Sequence, residues 1–326
     1  MQITIEALAE TRPGPLWQER FQELWPYYHR WYLAEGNENR PTYLQCERAL
    51  RQHMPELVPA WEHMVELAGG GDVEARFLSL YRPPPYLTGC SQAVWLREGD
   101  EPMLVRNYDY SPHLFESMIW RTQWHAHPVI AVSDCLIGAL DGINDAGLAV
   151  SLNFGGAKDV GDGFGAPLVL RYLLEFCSSA SEAAQVLRRI PIHMAYNILL
   201  LDRQGDYTTA FTSPGSPTIL HRTEASTNHQ DRIAWPLHAE ATATLERERR
   251  LFEMLGSRGT TPEEFVEDFL RPPLYQTRYE RGYGTLYTAV YRPLSGRVEY
   301  RWPDRILPES LADFRVETIP LELALP

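Results

Sequence analysis

The sequence predicts an α+β fold in which antiparallel sheets are covered by helices, not a doubly wound parallel sheet. Three observations lead there. Helical periodicity fills residues 1 to about 82, and period-two segments dominate after Pro85. The later strands and helices come in blocks rather than in strict alternation.

Each element follows in order. "RFQELWPYYHRWYLAEG" and "PTYLQCERALRQHM" carry apolar residues at three- and four-residue spacing, and "PELVPAWEHMVELAGGG" ends in glycines suited to a helix stop. "GDVEARFLSLY" adds a further turn or two. "QAVWLR" and "PMLVRNYD" flank "EGDE", a hairpin signal with Gly99 in the turn. "CLIGALDGINDAGLAVSLNF" repeats that design around "NDAG". Two helices follow, "PLVLRYLLEFC" and "SEAAQVLRRI", the second with Ser181 as its N-cap. "YNILLLD", "DYTTAFT" and "PTILHR" read as strands, and "TATLERERRLFEML" and "TPEEFVEDFL" as helices, Thr261 and Pro262 opening the latter. "GTLYTAVYRPLSGRVEYRW" closes as a hairpin.

Bulk properties narrow the function. The chain has 326 residues, 44% of them hydrophobic, ample for a large core. A net charge of −13 argues against a nucleic-acid partner, since nothing basic is concentrated enough to displace counterions. Apolar runs such as residues 197–201 are far too short to span a bilayer, so no membrane partner is expected. "MQITIEALAETRPG" lacks the basic start and apolar stretch of a secretory signal. The four cysteines, Cys46, Cys90, Cys135 and Cys177, are too scattered for a disulfide framework. The expectation is a reduced, cytoplasmic protein, with self-association into a homo-oligomer left open.

One cysteine stands out by its place. Cys90 follows Gly89 at the seam between the proline run Pro83 to Pro85 and the first hairpin. The simplest hairpin loop puts Arg97 opposite Pro102 and therefore Cys90 opposite Asp109. Directly opposed residues lie about 5 Å apart. Arg106 falls on the same strand, and a nearby cation favours the thiolate. A cysteine is also among the most buried residue types and usually fills space, so spacing alone leaves its role open.

The ordered motifs resolve more. "GCS" followed by "RNYD", with Arg106 and Asp109 at fixed offsets from Cys90, resembles the cysteine N-terminal-nucleophile hydrolases, notably the choloylglycine hydrolase and penicillin V acylase group. "LDGINDAGLAVSLNFGG" is similar to that group's next block, and "STNHQ" resembles the "TNH" element of the acyl-coenzyme A:isopenicillin N acyltransferase family. The resemblance covers roughly residues 50 to 305, and the helical segment ending at a Gly–Cys bond belongs to the same pattern.

The resemblance implies a four-layer αββα sandwich with a helical segment, residues 1–89, ahead of a catalytic part, residues 90–326. It implies self-cleavage at Gly89–Cys90, after which Cys90 carries nucleophile and base on one residue, its α-amine taking the thiol proton. Asp109 would hold the ammonium, and Arg106 would support Asp109 and the thiolate. Oxyanion donors would be the backbone N–H of Asn153 and the side-chain amide of Asn228, while Asp141 and Asn144 match the family block or serve the hairpin alone. The hydrolase branch has an arginine where this chain has Gly284; either Arg281, three residues away, substitutes for it or the role is absent. That departure tilts the assignment toward the acyltransferase branch.

The activity so implied is attack by Cys90 on a linear amide or acyl thioester of a small molecule, with transfer to water or an amine and no cofactor. A catalytically silent binding protein on the same fold is the alternative, and a Cys90–His229 thiol protease a weaker one. His125 and His127 alternate in "WHAHP" and could face one metal, but no third ligand lies at a convincing spacing, so no metal is expected.

Overall fold

The computed structural model describes residues 1–323. Two sheets dominate this mixed α+β chain. One has nine strands, in the order Ile219–His221, Tyr207–Thr212, Tyr196–Asp202, Leu148–Phe154, Gly138–Asn144, Val129–Asp134, Met118–Thr122, Gln2–Ala9 and Glu317–Glu322. The other has six, in the order Ala225–Ser226, Gly89–Trp95, Met103–Tyr110, Gly284–Arg292, Arg297–Trp302 and Arg305–Ser310.

Period-two side-chain alternation sorts the interior into three cores. Cys90, Val94, Leu104 and Tyr108 of the smaller sheet meet Ile130, Leu140, Ile143 and Leu199 of the larger. On the far side of the larger sheet, Val150 and Leu152 pack with Trp17, Phe21, Leu50 and Trp61 and with Leu170 and Leu173. On the far side of the smaller sheet, Ala93, Trp95, Met103 and Val105 pack against Leu251, Met254, Phe265 and Val266. Each fully buried large apolar side chain contributes on the order of 1.5–3 kcal/mol. Cys90 and Ala93, three positions apart on one strand, thus look into different layers, which decides the site's geometry.

The helices expected early in the chain are present as Pro15–Tyr32, Tyr43–His53, Val58–Leu67 and Asp72–Leu78. The first residues are not helical. Gln2–Ala9 is a strand, parallel to Met118–Thr122 and antiparallel to Glu317–Glu322, so the N-terminal segment is stitched into the larger sheet. The helix Ala180–Arg189 is capped by Ser179, whose hydroxyl accepts from the Glu182 N–H, and not by Ser181. Thr261 caps Pro262–Asp268 in a reciprocal capping box with Glu264, as expected. "NDAG" turns the Gly138–Asn144 and Leu148–Phe154 hairpin, with Gly147 at φ +83°. Among the described residues, no helix is long and apolar enough to cross a membrane.

Candidate active site

Gly89–Trp95 and Met103–Tyr110 form the expected hairpin, but one residue out of the simplest register. Gly89 lies opposite Asp109, Cys90 opposite Tyr108, and Gln92 opposite Arg106. The loop turns at Arg97–Asp100, where the Asp100 N–H donates to Arg97 O at 3.1 Å, so Arg97 does not pair with Pro102 and the ladder ends at Trp95–Met103. The Arg97 guanidinium reaches the backbone oxygens of Ser257 (2.6 Å) and Thr260 (2.9 Å) and stacks 4.0 Å from the Trp95 ring. A one-residue change reverses faces, so the Cys90 and Asp109 side chains project to opposite sides of the sheet. Arg106, not Asp109, shares the face of Cys90.

Between the sheets, Arg106 Nη2 donates to Cys90 Sγ at 3.1 Å. Its Nη1 donates to Leu140 O at 3.1 Å and to Asp141 Oδ2. Tyr287 donates to the same Asp141 oxygen at 2.5 Å, and Tyr291 donates to Oδ1. Cys90, Arg106 and Asp141 are fully buried. Asp141 is thus the carboxylate that balances Arg106, a role the sequence reading gave to Asp109. Burial pushes the Cys90 thiol up from its ordinary value, and the Arg106 guanidinium pulls it back down. Asn144 serves the hairpin and its packing, donating to Leu174 O and Cys177 O and accepting from the Leu148 N–H.

On the other face stands a residue that the sequence reading missed. Arg247, in the helix Thr244–Gly256, is fully buried. Its Nη1 reaches Cys90 O at 2.6 Å, Ser91 Oγ at 2.8 Å and Asp109 Oδ2 at 3.3 Å. Its Nη2 reaches Asn228 Oδ1 at 2.7 Å and its Nε reaches Thr242 O at 2.7 Å. The signal was present: Arg247 falls in the buried helical stripe with Thr244, Leu251 and Met254, where an apolar residue belongs. Thr285 donates to Asp109 Oδ1 at 2.6 Å. Burial lifts the Asp109 carboxyl to about 6 against the pull of Arg247 and the Thr285 hydroxyl.

Asn228 straddles the Gly89–Cys90 bond. Its Oδ1 accepts the Cys90 N–H at 2.8 Å, while its Nδ2 donates to Thr88 O at 3.3 Å and Phe154 O at 3.1 Å. Gly156, at φ +79°, lets this loop approach: a Cβ there would stand 2.5 Å from Asn228 O. Asn153 pairs with Asn197 in the ladder and turns its amide to Ser226 O at 3.0 Å, with no side-chain hydrogen bond to Cys90. Gln92 ties the two sheets beside them, accepting from Ser151 Oγ at 2.6 Å and donating to Asn197 O and Ser226 Oγ at 3.0 Å.

A family model described as acyl-coenzyme A:6-aminopenicillanic acid acyl-transferase matches residues 95–306. The chain belongs to this family. The matched span holds Arg106, Asp109, Asn153, Asn228 and Arg247, and begins downstream of Cys90. No curated protein matches the chain. Among solved structures, the chain is similar to penicillin V acylase from Agrobacterium tumefaciens, at 14% identity over 68% of this chain and 86% of that one, TM-score 0.48. It is also similar to a mutant of conjugated bile acid hydrolase from Clostridium perfringens, at 11% identity over 72% of this chain and 96% of that one, TM-score 0.46.

Within this acyl-transferase family member, the remaining expected residues fall away from the thiol. Arg281 is exposed on a short 3₁₀ turn and does not enter the site. A Cβ at Gly284 would lie 2.2 Å from the Tyr279 ring, so a side chain there would require that ring to move. His229 hydrogen-bonds Thr244 Oγ1 at 3.1 Å and lies 3.2 Å from a Glu248 oxygen, so the Cys90–His229 pair is not formed. His125 and His127 sit in a loop rather than a strand. His127 binds Asp145 at 2.7 Å and Ser178 at 3.2 Å, and His125 packs 4.5 Å from the Phe176 ring.

Proposed function

We propose that the chain is a self-processing cysteine amidohydrolase or acyltransferase that cuts itself at Gly89–Cys90. The mature enzyme then has residues 1–89 as one chain and residues 90–326 as the other, on a four-layer αββα sandwich. The observation that carries the reading is the contact between the buried Arg106 guanidinium and Cys90 Sγ, immediately after Gly89. Family membership supports acyl transfer as the chemistry. Cys90 is 0% exposed in the intact chain, so the reading makes the uncut protein latent, with cleavage freeing the thiol from the segment in front of it.

In the mature site Arg106 stabilises the thiolate, and the new α-amine of Cys90 takes the thiol proton. In the intact chain that nitrogen is held by Asn228 Oδ1, not by Asp109. Asp109 acts through Arg247, which also fixes Cys90 O and Asn228 Oδ1. Once Thr88 departs, the Asn228 amide is released to bind the oxyanion, with the Asn153 backbone N–H as second donor. The substrate is a small linear amide or acyl thioester. Incubation with an activated acyl ester is expected to leave an acyl mass on Cys90. Asn228→Ala should lower kcat for a chromogenic amide by roughly a hundredfold with a smaller change in KM. Acylation elsewhere, or an unchanged kcat, overturns the assignment.

A further inference from the structure

Gly89 is built against Tyr283. An ideal Cβ on Gly89 would lie 1.7 Å from the Tyr283 hydroxyl oxygen and 2.7 Å from Cζ. With a Cα–Cβ bond of about 1.5 Å, that oxygen stands no more than about 3.2 Å from Gly89 Cα. It therefore touches the residue that supplies the scissile carbonyl, and any other residue there would force Tyr283 to move.

The hydroxyl is buried and has no hydrogen-bond partner among the described residues. Buried hydroxyls are rarely left so, and an orphan beside a reactive centre calls for an explanation. The group stays a phenol: burial first, then Asp109 and Cys90, hold its pKa well above the ordinary value, with Arg247 opposing. A phenol that keeps its proton is a donor waiting for an acceptor. The Asn228 amide cannot serve Gly89 in the uncut chain, because both its hydrogens are committed, to Thr88 O and Phe154 O.

We propose that Tyr283 is a catalytic residue of self-cleavage, its hydroxyl donating a hydrogen bond to the Gly89 carbonyl oxygen as that oxygen becomes an oxyanion. The role rests on the cleavage reading given above. Cys90 Sγ adds to the Gly89 carbonyl carbon as its proton leaves, and the carbonyl electron pair moves onto oxygen. The C–N bond then breaks as the proton that left the thiol is delivered to the Cys90 nitrogen, restoring the carbonyl as a thioester and freeing the α-amine. Water cleaves the thioester to the Gly89 carboxylate and the Cys90 thiol. Tyr283 keeps its own proton throughout, binding the oxyanion and releasing the restored carbonyl. Two donors thus divide the work: Tyr283 for the single cut, Asn228 for later turnovers.

The test compares Tyr283→Phe with the native full-length chain. The Phe variant should be cut about a hundredfold more slowly, the effect of losing one oxyanion donor. On the uncut Cys90→Ala background, Tyr283→Phe should melt no lower than Cys90→Ala alone, because it removes an unsatisfied buried hydroxyl. Slower cutting without lost stability is a signature that a packing role does not produce. Hydroxylamine, which attacks thioesters, should not restore the rate, since thioester formation is the step impaired. Native-rate cutting, a lowered melting point, or full rescue by hydroxylamine overturns the role of Tyr283 alone. A native chain that stays whole overturns the cleavage reading and this role with it.

Discussion

The hairpin of residues 89–110 joins a buried arginine–aspartate pair on each of its faces, supplying Arg106 to one and Asp109 to the other, and the two pairs are held differently. Between the sheets, Arg106 is balanced by Asp141, which takes two further hydrogen bonds from Tyr287 and Tyr291. On the helix side, Arg247 is spread over Cys90 O, Ser91 Oγ, Asp109, Asn228 and Thr242 O, and Asp109 keeps only Thr285 besides. The first pair touches the sulfur; the second grips the backbone and the amide around the same residue. In the proposed mechanism, strand alternation thus separates activation of the thiol from control of the bond it would cut.

The largest effect should come from breaking the first pair. Arg106→Met leaves Asp141 buried without its cation, which costs roughly 3–5 kcal/mol for pairs of this kind. Asp141→Leu added to it should recover most of that stability, measured by denaturant unfolding on the uncut Cys90→Ala background. Self-cleavage in the double variant with Cys90 intact should stay slow, because the thiol still lacks its guanidinium. Native cleavage in that protein would separate Arg106 from the chemistry.

A smaller effect should mark the second pair. Asp109 titrates near 6 in the folded chain, above the roughly 3.9 of an unperturbed aspartate, so the folded state binds that proton more tightly. Its contribution to stability is therefore greatest at low pH and falls as pH rises from about 4 to about 6, by roughly 2–3 kcal/mol at most. Asp109→Asn, again on the Cys90→Ala background, should flatten that part of the stability profile. Identical profiles would mean that Asp109 is an ordinary carboxylate held charged by Arg247.

How much of this was legible in the sequence follows from locality. The hairpins and most helices could be read because short-range period and turn chemistry set them, and the offsets from Cys90 to Arg106 and Asp109 stood out through the family resemblance. The register could not: the turn falls at Arg97–Asp100 rather than one residue on, a difference that local residue preferences do not decide. The strand Gln2–Ala9 escaped for another reason: its partners lie at 118–122 and 317–322, although Ile3, Ile5 and Ala7 already alternate. The match of Asp141 to a family block says nothing of its role, which needs the second sheet. Arg247 is marked locally only as an arginine within an apolar helical stripe.

Whether Cys90 attacks the carbonyl of the residue before it is decided by denaturing mass spectrometry of the purified full-length chain. The expected result is two chains, residues 1–89 and 90–326, and a single intact mass for Cys90→Ala, with Cys46→Ala, Cys135→Ala and Cys177→Ala cut like the native protein. A native chain that remains whole through prolonged incubation, or a Cys90→Ala chain cut at the same bond, would contradict it.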